Sequence, residues 1–217
     1  MKYKLVIFDL DGTLLDTTEG ILNSVKHTIS AFSLPMLSDK ELRTFIGPPI
    51  QFSLNKHYGL EGEKLQEMTD CFRLEYSTKH LLKAAPYEGI FYLLEKLSIN
   101  GIRCAVATYK REDYALKLLN YYGFNKYMNI MYGADNENKL KKKDIIIKCI
   151  ESSGITDYNN VVMVGDTTHD SSGAFELGID FIGVTYGFGF KKEDKNNHNF
   201  TGMAENPEEI LNLIIKE

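Results

Sequence analysis

The chain has 217 residues, 43% hydrophobic and 25% charged, enough apolar material for one core-forming domain with an insertion or for two modest domains. Its formal net charge of -5 lacks the basic footprint that non-specific nucleic-acid binding requires. Cys71, Cys104 and Cys149 make no CxxC pair, which argues against a disulfide scaffold or a zinc cluster and fits a reducing compartment.

The first element is Leu5-Val6-Ile7-Phe8, an unbroken apolar run that reads as a strand buried on both faces of a parallel sheet. It ends on Asp9 and Asp11. Residues i and i+2 of an extended segment point the same way, so both acids aim into one volume, where a proton or a cation must offset their repulsion. No signal-like segment precedes the strand, and no apolar run approaches the ~18 residues of a membrane span. The expectation is a soluble cytoplasmic protein, monomer or homodimer, with no membrane or nucleic-acid partner.

From Thr17 to Lys83 the pattern is helical. Ile21, Leu22, Val25, Ile29 and Phe32 mark one amphipathic face. Ser38-Asp39-Lys40-Glu41 is a capping-box signature, with Leu37 and Leu42 as its staple. That short helix should stop near Gly47-Pro48, and Pro49 suits a new first turn. Leu65, Met68, Phe72 and Tyr76 follow at helical spacing. From Tyr87 the rhythm changes to alternating helix and strand. Strands are expected at Ile102–Ala107, near Ile130–Tyr132, at Val161–Val164 and at Phe181–Val184. Helices are expected at Ile90–Leu97, about 112–122, from about Asp144, and after Pro207. The alternation predicts an α/β fold with a doubly wound parallel sheet, 1–16 and 84–217, interrupted by an all-helical domain over 17–83.

In such a sheet ligands bind beyond the carboxyl ends of the strands. Three buried strands here end on polar residues: Asp9-Leu10-Asp11-Gly12-Thr13, Thr108-Tyr109-Lys110, and Gly165-Asp166-Thr167-Thr168-His169-Asp170. Buried acids without partners are expensive, so their convergence calls for a cation. Oxygen donors with no His/Cys cluster suit Mg²⁺. An EF-hand reading fails, because Thr13 takes the third ligand position and a strand precedes the loop.

DLDGTLLD, VATYK and VGDTTHD resemble the first, second and fourth motifs of the haloacid dehalogenase superfamily of phosphatases, and the helical insertion resembles its C1-type cap. FIGPPI and YGFG resemble the phosphoglycolate phosphatase-like and bacterial 5′-nucleotidase-like branch. The resemblance implies a Rossmann-like core and hydrolysis of a small-molecule phosphate ester through an aspartyl-phosphate. It implies Asp9 as nucleophile, Asp11 as general acid/base, and Mg²⁺ held by Asp9, the Asp11 carbonyl and Asp166, with Asp170 in support. It further implies Thr108 as a phosphoryl donor, a neutralising lysine, and substrate contacts from Gly12, Thr13, Tyr109 and Lys110, and from Arg43 and Gly47 of the cap.

Lys139, Lys141, Lys142 and Lys143 compete for the lysine's role. Related sequences place it two before an acid that opens a helix, here Asp144, which selects Lys142; Lys141 and Lys143 stay open if that spacing misleads. Asp11 disfavours dehalogenation, since the family's dehalogenases lack it. A sugar phosphomutase of the same superfamily and a phospho-accepting regulatory module remain the alternatives. Gly187-Phe188-Gly189 lacks the third glycine of a dinucleotide site. His169 reads as peripheral, and Tyr121, Tyr122 and Phe124 read as core around a helix end.

Overall fold

The computed structural model of the chain describes residues 2–136, 139–196 and 200–215. The chain divides into two compact units, Met1–Leu15 with Pro86–Glu217, and Asp16–Ala85. Strand β1 (Leu5–Phe8) is buried along its whole length. After it comes β2 (Leu15–Asp16), which pairs with β3 (Ala85–Pro86) in a two-stranded sheet. Neither short strand was expected, because two residues carry no alternation to read.

In the helical unit, α1 (Thr18–Ala31) buries Ile21, Val25 and Ile29. The capping box forms on α2 (Asp39–Arg43): the Glu41 amide donates to Ser38 Oγ at 3.4 Å, and Glu41 Oε2 accepts from the Ser38 amide at 2.8 Å. Helix α3 (Ile50–Tyr58) corrects the expectation for Pro49. With ψ at 139°, Pro49 is extended and caps the helix from outside. Helix α4 (Gly62–Glu75) runs on into a π-helical turn, Tyr76–His80.

The other unit resumes with α5 (Ile90–Ile99), which buries Ile90, Leu93, Leu94 and Leu97. Then follow β4 (Arg103–Arg111), α6 (Glu112–Tyr121), β5 (Ile130–Ala134), α7 (Lys142–Ser153), β6 (Val161–Gly165), α8 (Thr168–Leu177), β7 (Asp180–Val184), β8 (Gly202–Ala204) and α9 (Pro207–Ile214). The sheet order is β5-β4-β1-β6-β7-β8, with every pairing parallel. Three departures from expectation stand out. Helix α7 starts at Lys142, two residues early. Strand β8 was not expected, since Gly-Met-Ala shows no strand pattern. Tyr121 is 64% exposed and not core, although Phe124 is fully buried. Among the described residues no helix is long and apolar enough to cross a membrane.

The face of the sheet that α7 covers is a continuous apolar layer. Leu5 and Ile7 of β1, Ala105 and Ala107 of β4 and Met163 of β6 pack with Ile145, Ile146 and Ile150 of α7. Burying a large aliphatic side chain contributes about 1.5–3 kcal/mol. This layer therefore anchors α7, and with it the helix start at Lys142.

Candidate active site

Strand β1 lies between β4 and β6, in register with both, Phe8 opposite Val106 and Val164. The topology thus brings three strand ends side by side. Asp9 continues the ladder by one bond, its amide donating to the Val164 carbonyl at 2.9 Å. The chain then turns tightly, with the Leu14 and Leu15 amides both donating to the Leu10 carbonyl at 3.0 Å. Gly12 makes that turn at φ +83°, where a Cβ would stand 2.3 Å from Asp166 Oδ2. Only glycine leaves that acid its place.

On the β4 side the register shifts between Ala107 and Arg111, an irregularity of the kind that re-aims side chains near sites. Thr108 Oγ1 accepts the Lys110 amide at 3.1 Å. Lys110 Nζ stands 3.1 Å from Asp11 Oδ1, and both side chains are buried. Tyr109 turns the other way, its hydroxyl oxygen accepting the Lys142 amide at 2.9 Å.

On the β6 side, Asp166 is fully buried. Its Oδ2 accepts the Phe188 amide at 2.7 Å, and Thr13 Oγ1 lies 3.5 Å from its Oδ1. Asp170 caps α8: its Oδ2 accepts from the Thr167 amide at 3.0 Å and from Thr167 Oγ1 at 2.7 Å. The centre of the cluster is Lys142 Nζ, which is 2.6 Å from Asp9 Oδ1 and 2.6 Å from Asp170 Oδ1. Of those two contacts the one to Asp9 has hydrogen-bond geometry; Asp170 Oδ1 is buried with no aligned donor.

Burial pushes the Asp9 carboxyl up to about 7; Lys142 pulls it back, while Asp170 and Asp11 add to the rise. Burial likewise raises Asp166 well above the usual carboxylate range, with Asp170 and Asp9 reinforcing it. Burial alone would depress Lys142, but Asp170 and Asp9 outweigh it and keep the ammonium protonated. Asp9, Asp166 and Asp170 present oxygens that all lie within 4.8 Å of one another. Four acids face two lysines here in a buried volume, and that excess of acids is what pushes Asp9 and Asp166 toward their neutral forms. A hard divalent cation fits that excess of acids and the all-oxygen donor set.

Of the residues expected at the site, Asp9, Asp11, Gly12, Thr13, Thr108, Lys110, Lys142, Asp166 and Asp170 gather at these strand ends. Lys143 instead pairs with Glu176 at 2.7 Å. Arg43 is exposed at the end of α2 and Gly47 follows it at φ +101°, both in the helical unit. Sequence reasoning marked YGFG after β7 as a family-like feature but gave that loop no place at the site. There the Tyr186 hydroxyl donates to the Thr13 carbonyl at 3.0 Å, and the Phe190 amide donates to the Asp166 carbonyl at 2.8 Å. Two glycines around one residue just past a strand were the available signal of close backbone approach.

Positions 6–184 match the family described as haloacid dehalogenase-like hydrolase. A 5′-nucleotidase from Pseudomonas aeruginosa is 31% identical over 194 residues, covering 89% of this chain and 87% of that protein. A protein named tyrosine-protein kinase PtkA from Mycobacterium bovis is 34% identical over 187 residues, 86% of this chain but 63% of its own length. Among solved structures, a haloacid dehalogenase-like family hydrolase from Streptococcus pneumoniae superposes with a TM-score of 0.88 at 29% identity, covering 96% of this chain and 97% of that one.

Proposed function

The chain belongs to the haloacid dehalogenase-like hydrolase family and is a phosphatase within it, and from that premise we propose that it is a Mg²⁺-dependent phosphate monoester hydrolase working through an aspartyl-phosphate on Asp9. The observation that carries the reading is Lys142 Nζ, buried and held at 2.6 Å from both Asp9 and Asp170. A cation fixed against one carboxylate oxygen orients that group and neutralises the phosphoryl oxygens that approach it.

The reading assigns each of these residues a role. An Asp9 oxygen attacks phosphorus, forming the O–P bond as the bond to the ester oxygen breaks. Asp11, two residues on and braced by Lys110, gives its proton to the departing oxygen. In the second step Asp11 takes a proton from the attacking water, the acyl-phosphate bond breaks, and the Asp9 carboxylate is restored with release of inorganic phosphate. The Thr108 hydroxyl accepts the Lys110 amide, which leaves its own proton for a phosphoryl oxygen. Asp9, the Asp11 carbonyl and Asp166, with Asp170 in support, would hold a Mg²⁺ ion, which would supply charge stabilisation to the transferring group. No one group suffices: a general acid contributes about 10²–10⁴-fold, against up to ~10²¹ for the slowest ester hydrolyses.

The substrate is a small phosphorylated metabolite, of which a nucleoside 5′-monophosphate and phosphoglycolate head the panel to be assayed, with phosphotyrosine and sugar phosphates beside them. Asp9→Asn, nearly isosteric, should fold as the parent does and lose turnover by about three orders of magnitude or more. Chelation with EDTA should abolish phosphate release and Mg²⁺ restore it. Parent-like turnover in Asp9→Asn, or full activity in EDTA, would overturn the mechanism.

A further inference from the structure

Tyr109 was expected to touch substrate, yet its hydroxyl is engaged elsewhere. Tyr109 packs against the same apolar layer as Ala105 and Ala107 of β4 and Ile145 and Ile146 of α7. There the phenol oxygen accepts the Lys142 amide at 2.9 Å. Lys142 opens α7, and amides in the first turn of a helix have no acceptor within it. The bond therefore ties the start of α7 to the end of β4, at the residue whose side chain carries the buried cation. The same ring has Lys142 Nζ 5.6 Å from its centroid, within cation–π range. The His169 ring meets it edge-on at 5.3 Å.

Lysine's ammonium rides on a long flexible stem, so its position between two carboxylates needs external restraint. Part of that restraint comes from α8, where a Cβ on Gly173 would lie 3.1 Å from Lys142 Cγ, so the stem runs close along the glycine's backbone. Tyr109 supplies the rest, by holding the backbone of the same residue. Building on the proposed role of Lys142, we infer that Tyr109 is a positioning residue, which sets where Lys142 presents its ammonium to Asp9 and Asp170 and does not itself bind substrate. Misplacement of a catalytic group by an ångström costs about 10²-fold, and one lost hydrogen bond allows a smaller drift.

Tyr109→Phe tests this, because it keeps the ring and removes the acceptor oxygen. The expected result is a fall in kcat of about tenfold, with KM for the ester that of the parent and the thermal midpoint lowered by no more than a few degrees. In a Lys142→Ala background, with p-nitrophenyl phosphate as substrate, the same change should cost nothing further. An unchanged kcat in Tyr109→Phe, a loss expressed in KM, or an equal loss in the Lys142→Ala background would each overturn the inference. Parent-like activity of Lys142→Ala alone would instead overturn the proposed role of Lys142, whatever Tyr109→Phe does.

Discussion

A Cβ on Gly187 would stand 2.3 Å from the Gly12 carbonyl oxygen and 2.5 Å from Asp166 Cβ. One neighbour is backbone and the other the root of a buried acid, so neither can swing aside. Gly187→Ala should therefore push the loop after β7 off the Asp9–Thr13 turn and loosen the Phe188 amide from Asp166. Overpacking of this kind costs about 1–3 kcal/mol, so urea unfolding should show a modest loss while kcat falls at least about tenfold. Parent-like turnover would mean that this loop does not hold Asp166. In the sequence these glycines were legible as a failed dinucleotide motif and as part of the family-like YGFG, but not by what they approach, which lies far away along the chain. Asp9 and Asp166 were different. Each ends a buried apolar run, a pattern read locally.

In the helical unit, α4 passes into the π-turn Tyr76–His80 and three basic side chains stand near Glu75. Lys79 Nζ lies 3.0 Å from it, His80 Nε2 3.2 Å, and His27 Nε2 of α1 3.6 Å. The Lys79 contact leads in holding the Glu75 carboxyl below its ordinary range. A depressed carboxylate stabilises the fold above its unfolded pKa of about 4.3, and that contribution is lost as pH falls through the folded value. Glu75→Gln should accordingly lower the thermal midpoint at pH 7, with the gap to the parent closing as pH drops below about 4.3. A gap that stays constant from pH 7 to pH 3 would exclude the ionised Glu75 as its source. The helices here were legible from spacing and from the capping box at Ser38. The π-turn was not, because nothing in Tyr-Ser-Thr-Lys-His distinguishes it from one more α-turn, and Pro49 fits the cap position as well as the first turn.

Across the whole molecule, the sheet order places β1 between β4 and β6, so residues remote in sequence share one buried volume. Lys142 and Asp9 are 133 residues apart; no periodicity links them, and the choice among neighbouring lysines came from family spacing alone. What the composition did carry was the charge problem. A chain of net charge -5 concentrates Asp9, Asp11, Asp166 and Asp170 against Lys110 and Lys142, an excess of acids that protons or a divalent cation must offset. A cation bound by the folded state alone stabilises it by RT ln(1 + [L]/Kd), about 2.7 kcal/mol at a hundredfold excess over Kd. For a chain of this length that is a rise in thermal midpoint of roughly 5–10 °C. Titrating Mg²⁺ into the EDTA-treated protein should trace this rise, and Asp166→Asn, which removes a charged oxygen donor, should flatten it. Because the readout is unfolding and not turnover, it bears on the cation whether or not the substrate is known. A midpoint indifferent to Mg²⁺ would leave the excess acids to be met by protons, on Asp166 and Asp9, the two carboxyls that burial raises.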